Sequence, residues 1–466
     1  MFSAAPTLSR RGFLSLGVLF FSRFQFAPAR IEFLGFDRVE PLLGRNQFTL
    51  PDDLAGTREQ IRAAWPRWIQ NHDREIRSRL VRGEEDTLVN FILFGVSFTQ
   101  RPRVLPDSTS ETTLPLIDER IQDFILAVTR PNSDRLNLLS NLLTRLGYRT
   151  SPDSEQQRVR QYISQQVFRY LAEREQYRAA INRAAADTSA SGNVNSRLYK
   201  NRGLSIDTDF RPNYAIDQAL AEVKRRGLLR SVKRAAIIGP GLDFTDKDSG
   251  FDYYPLQTLQ PFALIDSLLR LEMSKPSDLK VNVFDISAQS LDHISQAVSR
   301  ARSRQPYTLQ LVLDRTPPWN SGALNYWRRL GERIGSSVTP LPAPAQIRNV
   351  NRRAVRILPE IVTTLDPQPL NIVTQHVEAP TSQKFDLIVA TNILLYYDRL
   401  EQALALLNIE SMLSNGGVTL LNDPVEDYSG LRLRRTAIVT VPYTPDQSDE
   451  MRICTLPTFQ PQQAPA

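Results

Sequence analysis

Three observations predict an α/β fold preceded by an all-α N-terminal domain. Between residues 30 and 186, apolar side chains recur at the spacing of helix faces. From Asn213 onward, short apolar runs typical of buried strands alternate with helical segments, as they do in parallel sheets. Residues 187–197 lie between these two regions, are small and polar, and include glycine, which predicts a linker.

Composition limits the function classes. The chain has 466 residues, 41% of them hydrophobic, which suffices to bury sizeable cores in two domains. Its one cysteine, Cys454, excludes an internal disulfide and a multi-thiolate metal site, and its three histidines show no ligand spacing. The net charge of +7 comes mostly from arginines dispersed along helices. Solvated helix faces explain that charge better than a nucleic-acid groove, so we expect neither a metal nor a nucleic acid as partner.

Residues 1–29 resemble a twin-arginine export signal. Arg10 and Arg11 form a charged start, and a short apolar run then ends on Ala-Pro-Ala, which suits signal peptidase. Cleavage after this tripeptide would give an exported, periplasmic protein. The alternative is a frayed amphipathic start on a cytoplasmic protein, because Arg23 interrupts the apolar run. No later stretch is long and apolar enough to predict a membrane span.

The region 30–186 is predicted to be helical throughout. Thr57 to Gln60 fits a capping box at the start of one helix, and the apolar run from Thr87 to Phe94 predicts a second. Ser133 to Leu146 has leucines on one face and is followed by Gly147 at the expected C′ position. Ser154 to Ala186 predicts a long, arginine-rich helix. Core packing accounts for these apolar faces, and we find no recognisable chemistry in them.

The first strand of the second region runs into a glycine turn. A helix from Asn213 to Arg226 precedes Ala235–Asp243, in which a short apolar strand ends on Gly239-Pro240-Gly241. Glycines two residues apart let the backbone approach a ligand closely, and they open most nucleotide-type sites on parallel sheets. The alternative is an ordinary turn.

A second strand, Lys280 to Phe284, ends on Asp285-Ile286-Ser287, and a helix from Ala288 to Arg302 follows. An acid at the end of the second strand, tens of residues beyond the glycines, can accept hydrogen bonds from both hydroxyl groups of a ribose. The alternative for Asp285 is a helix N-cap. Taken with the glycine turn, the position favours ribose.

The last landmarks lie further along the chain. Phe385 to Ala390 predicts a buried strand, which leads through Thr391–Asp398 into a helix that ends at Met412. Asn415-Gly416-Gly417 then precedes a strand from Val418 to Leu421.

With these landmarks in this order, the chain from about Asn213 to Pro457 resembles the class I S-adenosylmethionine-dependent methyltransferases. The resemblance implies a Rossmann-like, seven-stranded sheet in a domain spanning residues 198–457, with residues 458–466 as a disordered tail. It also implies S-adenosyl-L-methionine as cofactor. By the resemblance, the cofactor-binding residues are Gly239, Pro240, Gly241, Asp285, Ile286, Ser287 and Asn392.

Within that superfamily, Asn392 to Asp398 is most similar to the chemotaxis receptor methyltransferases, which carry an Asn-hydrophobic-x-x-Tyr-Phe element at this place. They insert a small subdomain before the third strand, which implies an insertion at about residues 307–365 that includes Leu309–Leu313. Strand three is then expected at Leu370–Thr374. The likeness implies a protein side chain as methyl acceptor.

Three positions depart from the superfamily pattern. The acid usually found two residues before the first glycine is Ile237, and the usual third glycine is Asp243. The acid after strand three is replaced by Gln375 and His376, with Glu378 as a candidate substitute. In-line methyl transfer requires alignment more than catalytic groups, so no catalytic residue is predicted.

Two functions follow from these observations. The first is methyl transfer to an unidentified acceptor. The second is a non-catalytic exported protein that uses the fold as a binding or interaction scaffold; Ile237 and the twin arginines favour it, whereas Asp285 and Asn392 favour the enzyme. The inserted loop Phe244–Pro255 is acidic and aromatic, and is expected to be either a lid over the cofactor or a solvated connection.

Overall fold

A computed structural model describes residues 30–104, 110–186, 203–246, 251–314, 317–344, 347 and 350–457. The predicted export signal 1–29, linker 187–197 and tail 458–466 lie outside the described residues.

The predicted fold class is confirmed, since a seven-stranded, mostly parallel sheet follows a largely helical N-terminal region. The helices of the described residues are α1 Phe36–Arg45, α2 Arg58–Phe94, α3 Ser110–Thr129, α4 Asp134–Arg145, α5 Asp153–Ala186, α6 Pro212–Arg225, α7 Gln260–Arg270, α8 Ala288–Arg302, α9 Ser321–Arg329, α10 Pro359–Val362 and α11 Arg399–Met412. The strands are β1 Arg30–Phe33, β2 Arg234–Ile238, β3 Lys280–Asp285, β4 Tyr307–Val312, β5 Gly335–Val338, β6 Arg352–Ile357, β7 Leu365–Pro369, β8 Gln375–Glu378, β9 Phe385–Ala390, β10 Leu413–Leu421, β11 Arg434–Thr444 and β12 Gln447–Thr455.

The large sheet has the strand order β11-β12-β10-β9-β2-β3-β7. Its five strands from β10 to β7 are parallel, and β12 pairs antiparallel with both β10 and β11. The carboxyl ends of β2, β3 and β9 therefore meet at one edge of the sheet. Ligands of open α/β sheets bind at this edge.

Strand three was predicted at Leu370–Thr374, and this prediction is wrong. The strand that pairs with β3 is β7, with Leu365 opposite Val281 and Pro369 opposite Asp285. Leu370–Thr374 instead contains a turn. Strand β7 contains prolines at positions 367 and 369, which cannot donate to a ladder. Because β7 is the edge strand of the sheet, it tolerates them.

Local signals in the helical region were mostly confirmed. Thr57 and Gln60 form the predicted capping box, and Gly147 has a φ of +83° at the end of α4. One prediction was wrong: α2 is a single helix of 37 residues that includes Thr87–Phe94. The helix continues through Gly83, since glycine in a helix interior costs only about 1 kcal/mol.

The N-terminal region is not all-α and does not pack separately. Strand β1 pairs antiparallel with β8, far along the chain. The first half of α2, with Trp65 and Ile76, shares one core with Phe284 of the sheet. The second half, with Phe91, shares another core with Phe244 beyond the glycine turn.

The segment between α8 and β7 forms its own antiparallel sheet in the order β4-β6-β5, and Arg353 Nη1 of β6 donates to Trp327 O of α9 at 2.7 Å. Leu309 and Leu311 of β4 are buried and join the main core of the α/β region. In the part of the chain that the structure describes, no helix combines the length and apolar character that crossing a membrane requires.

Candidate functional site

Two adjoining cavities meet at the glycine turn, at the carboxyl ends of β2, β3 and β9. The larger, of about 300 Å³, is here named the acidic cavity and includes Asp207, Asp209, Asp243 and Asp246 in its lining. The smaller, of about 60 Å³, is named the apolar cleft and is lined by Asp285 and by apolar side chains that include Phe284, Leu370 and Ile372. Gly239 and Gly241 line both.

The glycine turn requires glycine for two separate reasons. Gly239 and Gly241 both have a φ of +64°, which L-residues rarely adopt. A Cβ at Gly239 would lie 2.3 Å from Ile393 Cδ1, and a Cβ at Gly241 would lie 2.9 Å from Thr208 Cβ. The residues that closely approach the two glycines, Ile393 and Thr208, therefore belong to this chain itself, and both also line the acidic cavity. Pro240 is buried and lines neither cavity.

Asp285 lies at the end of β3 and faces the apolar cleft. Its Oδ1 accepts a hydrogen bond of 2.8 Å from the Ser287 backbone N–H. The N-cap of α8 is Ser287, so the N-cap alternative for Asp285 is wrong. Burial raises the pKa of Asp285 to about 6, an effect that nearby backbone N–H groups partly offset. Ile286 and Ser287 also line the cleft.

Asn392 lines the acidic cavity in a conformation fixed by its neighbours. Its φ is +58°, and its backbone N–H donates to Asn422 Oδ1 at 2.7 Å. Asn422 Nδ2 returns a hydrogen bond of 2.8 Å to Asn392 Oδ1. The next two backbone N–H groups, of Ile393 and Leu394, donate to buried Asp423 at 3.0 and 2.7 Å. These bonds hold Ile393 over the glycine turn.

The segment 203–211 builds one wall of the site, and the sequence interpretation missed it. Thr208 N–H donates to Leu242 O at 2.9 Å, and Leu242 N–H donates to Ile206 O at 2.8 Å. Asp207 Oδ1 accepts a bond of 3.0 Å from the Phe244 backbone N–H. The available signal was the polar run Asp207-Thr208-Asp209 shortly before helix α6, but no local pattern says that this run pairs with the glycine turn.

The inserted loop Phe244–Pro255 after the glycine turn is hydrogen-bonded to the helical region. Arg135 of α4 is 2% exposed and donates to the backbone oxygens of Asp243, Phe244 and Tyr254, at 2.9 Å for Asp243. Asp252 accepts from Ser97 Oγ at 2.8 Å and from two backbone N–H groups of the segment after α2. The described parts of this loop are largely buried, so the solvated-loop alternative is wrong for them. Residues 247–250 lie outside the described part.

Helix α2 closes the apolar cleft from the other side. Leu80 lines the cleft, and Arg79 Nη2 donates to Tyr396 O at 2.7 Å. A Cβ at Gly83 would lie 1.8 Å from Leu204 O, so the helix backbone packs directly on the segment 203–211. Tyr396 lines both cavities, and Tyr397 lines the cleft.

The positions that depart from the superfamily pattern have separate outcomes. Ile237 is fully buried in the main core and faces neither cavity. Asp243 lines the acidic cavity and accepts bonds from Tyr254 Oη at 3.0 Å and Gln257 Nε2 at 2.8 Å. Glu378 lies in β8, pairs with Arg38 at 3.2 Å and lines neither cavity, so it is no substitute acid.

The corrected position of strand three changes which residues follow it into the apolar cleft. Because β7 ends at Pro369, the residues that follow it into the cleft are Leu370 and Ile372 rather than Gln375 and His376. Among the described residues, no group of three or more His, Cys, Asp or Glu side chains could hold a metal ion.

Solved structures similar to this chain include methyltransferases. The N-methyltransferase NodS from Bradyrhizobium japonicum WM9 is 13% identical with a TM-score of 0.27, over 54% of this chain and 99% of that one. Magnesium protoporphyrin IX methyltransferase ChlM from Synechocystis PCC 6803, with bound SAM, is 10% identical with a TM-score of 0.26, over 57% and 91%. The CurJ carbon methyltransferase is 12% identical with a TM-score of 0.25, over 86% and 98%.

No protein-family model matches the chain, and no curated protein matches it. The function proposed below therefore rests on the residues of this chain.

Proposed function

We propose that this protein binds S-adenosylmethionine across the glycine turn and transfers its methyl group to an acceptor in the acidic cavity. One observation carries the proposal: Gly239 and Gly241 line both compartments, with Asp285 on one side and several aspartates on the other. S-adenosylmethionine is a nucleoside joined to a positively charged amino acid. It needs an apolar surface that carries a hydrogen-bond acceptor for the ribose, next to an acidic surface.

The apolar cleft suits the nucleoside end. Phe284, Leu370 and Ile372 offer apolar surface to an adenine ring, and Asp285 lies beside them. A carboxylate offers about four acceptor positions. The Ser287 N–H takes one of them, and the N–H groups of Gly241 and Ile286 also face this carboxylate, so ribose hydroxyl groups would compete with these donors.

The acidic cavity suits the amino-acid end. Asp207 and Asp209 would attract the ammonium and sulfonium charges, and would take the place of the acid that the superfamily usually has where this chain has Ile237. Arg211 would attract the carboxylate of the cofactor. When bound, S-adenosylmethionine supplies an electrophilic methyl group. The chain contributes alignment of the two reactants, which can account for much of such a barrier.

A non-catalytic scaffold is the second candidate, and two observations favour it. Ile237 removes the usual acid, and a cleft of about 60 Å³ is smaller than an adenosine, so side chains that line it would have to move for binding. An exported protein would also lack a supply of this cytoplasmic metabolite. The export signal, the chemotaxis-type acceptor and the domain limits at about 187–197 and 307–365 stay proposals.

Calorimetric titration with S-adenosylmethionine and S-adenosylhomocysteine tests the enzyme proposal. We expect both to bind, and Asp285→Ala to weaken binding by about 1.5–3 kcal/mol, which is roughly 10- to 150-fold, as for hydrogen bonds to a charged group. Asp292→Ala is the matched control, because Asp292 is exposed on α8 nearby. Absence of binding by both compounds would leave the scaffold as the better account.

A further inference from the structure

The acidic cavity continues into a small recess beside the inserted sheet. This recess, of about 20 Å³, is named the aromatic recess and is lined by Phe210, Phe251, Tyr254 and Trp327, among others. Asp243 and Asp246 line both the recess and the acidic cavity, whereas Asp207 and Asp209 line the cavity alone. By volume the recess holds a group of about one or two heavy atoms. The three compartments therefore follow one another, from Asp285 through the glycine turn to Trp327.

The charge of the acidic cavity disfavours an anionic acceptor. Among the described residues that line it, four are aspartates and Arg211 is the one cation. Arg211 is paired with Asp209, with Nε to Oδ2 at 2.8 Å. Arg135 does not line the cavity and donates to backbone oxygens, but its charge acts on Asp243 and lowers the pKa of that carboxyl against the effect of burial. The side-chain donors to Asp243 are the neutral Tyr254 and Gln257. Because four carboxylates outnumber Arg211 and Arg135, and Arg211 would already face the cofactor's carboxylate, an acceptor carboxylate would be repelled here and an amine attracted.

Two buried polar groups, one in the acidic cavity and one in the aromatic recess, independently indicate a ligand. The Thr245 hydroxyl has no hydrogen-bond partner in the described part of the chain, although Thr245 is 3% exposed and lines the acidic cavity. The indole N–H of Trp327, which is 2% exposed and lines the aromatic recess, has none among the described residues either. Buried polar groups without partners are costly, so a ligand that bonds to Thr245 would relieve a penalty.

We propose that the methyl acceptor is an amine, with its nitrogen beside Asp243 and Asp246 at the mouth of the aromatic recess and its carbon chain extending into the acidic cavity. The proposal rests on the proposed methyltransferase function and names its substrate class. Carboxylates and aromatic faces together are the surroundings in which proteins hold ammonium groups. It gives a chemical class to the acceptor, for which the chemotaxis likeness implies only a protein side chain.

The reaction balances with groups present in the site. The bound ammonium first passes one proton to a carboxylate of Asp243 or Asp246, from which it leaves to solvent, and this frees the nitrogen lone pair. The lone pair then forms the new N–C bond, while the S–C bond breaks and its electron pair stays on sulfur, so that the product is a methylated ammonium. Burial raises the pKa of Asp243, which makes its carboxylate a better proton acceptor.

The test uses the full-length chain saturated with S-adenosylhomocysteine and two probes of equal length, hexylamine and hexanoate. We expect hexylamine to bind at least tenfold more tightly than hexanoate in calorimetric titrations. Asp246→Asn should weaken hexylamine binding about tenfold and S-adenosylhomocysteine binding much less, because Asp207 and Asp209 are the aspartates assigned to the cofactor. Asp53→Asn, at an exposed site remote in sequence, is the charge-matched control and should change neither.

Trp327→Phe gives a second measurement in case Asp246→Asn does not fold; it should weaken hexylamine binding and spare S-adenosylhomocysteine. Equal or tighter binding of hexanoate, or no binding of either probe, would overturn the amine proposal while leaving the cofactor proposal intact. Failure of S-adenosylhomocysteine to bind would instead overturn the methyltransferase function, and hexylamine titrated into the free chain would then decide whether an amine site exists without it.

Discussion

Ile393 lies directly over Gly239, so that a Cβ added to the glycine would be 2.3 Å from Ile393 Cδ1. The two residues belong to the ends of neighbouring parallel strands, β9 and β2, and both line the acidic cavity and the apolar cleft. This contact couples the glycine turn to the segment that Asn422 and Asp423 hold in place.

Gly239→Ala should therefore lower the free energy of unfolding by more than the positive φ of this position alone explains. We expect it to lower the free energy of unfolding by about 1–2 kcal/mol for the left-handed conformation and by roughly 1–3 kcal/mol more for overpacking. Gly227→Ala is the matched control, since Gly227 has a φ of +67° and nothing within 4 Å of its Cβ position. Thermal unfolding measures both, and Ile393→Ala added to Gly239→Ala should restore part of the loss. Equal destabilisation by the two glycine variants would contradict the contact.

Cofactor affinity should depend on pH through Asp285. Its pKa is raised to about 6, so at pH 7.5 its carboxylate is ionised and at pH 5 it is protonated. The protonated form accepts fewer hydrogen bonds, so we expect S-adenosylhomocysteine affinity to fall about tenfold between pH 7.5 and pH 5, and to be flat above pH 7. Calorimetry at several pH values measures this. In Asp285→Asn, affinity should be low at all pH values and lose the slope; a wild-type affinity that does not change would refute the assignment.

Arg135 should matter for stability and for the inserted loop together. Replacing it with methionine leaves three buried backbone oxygens without their donor, which we expect to cost about 3 kcal/mol or more. Hydrogen exchange of residues 251–254 should also accelerate. Arg135→Lys should resemble Arg135→Met, since one ammonium cannot match the planar guanidinium fork. Arg130→Met, at an exposed site, should change little, and slow exchange in Arg135→Met would show that the loop is held by other contacts.

Export can be tested without the rest of the chain. A reporter active only outside the cytoplasm, fused to residues 1–30, should give signal. Replacing Arg10 and Arg11 together by lysine should abolish it, because the paired guanidinium groups are what the export receptor reads. An intact N-terminus on protein recovered from cytoplasm would argue for the cytoplasmic alternative.

Sequence alone determined the features that depend on nearby residues. The capping box at Thr57, the C′ glycine at Gly147 and the strand that ends at Gly239 were all predicted correctly, since each follows from backbone geometry within a few residues. The same holds for Asp285 at the end of β3, where an apolar run stops at a single acid. From these positions the α/β class and the edge that carries the site could be predicted.

Tertiary structure decided what depends on distant partners. Strand β7 is a strand because β3 pairs with it, which outweighs the prolines that argue against it locally. Asp207 lines the site because the segment 203–211 pairs with Leu242, and Trp327 does so because the inserted sheet packs against the loop after the glycine turn. Such pairings depend on the burial and backbone hydrogen bonds of residues far apart in the chain, which no local period or motif encodes.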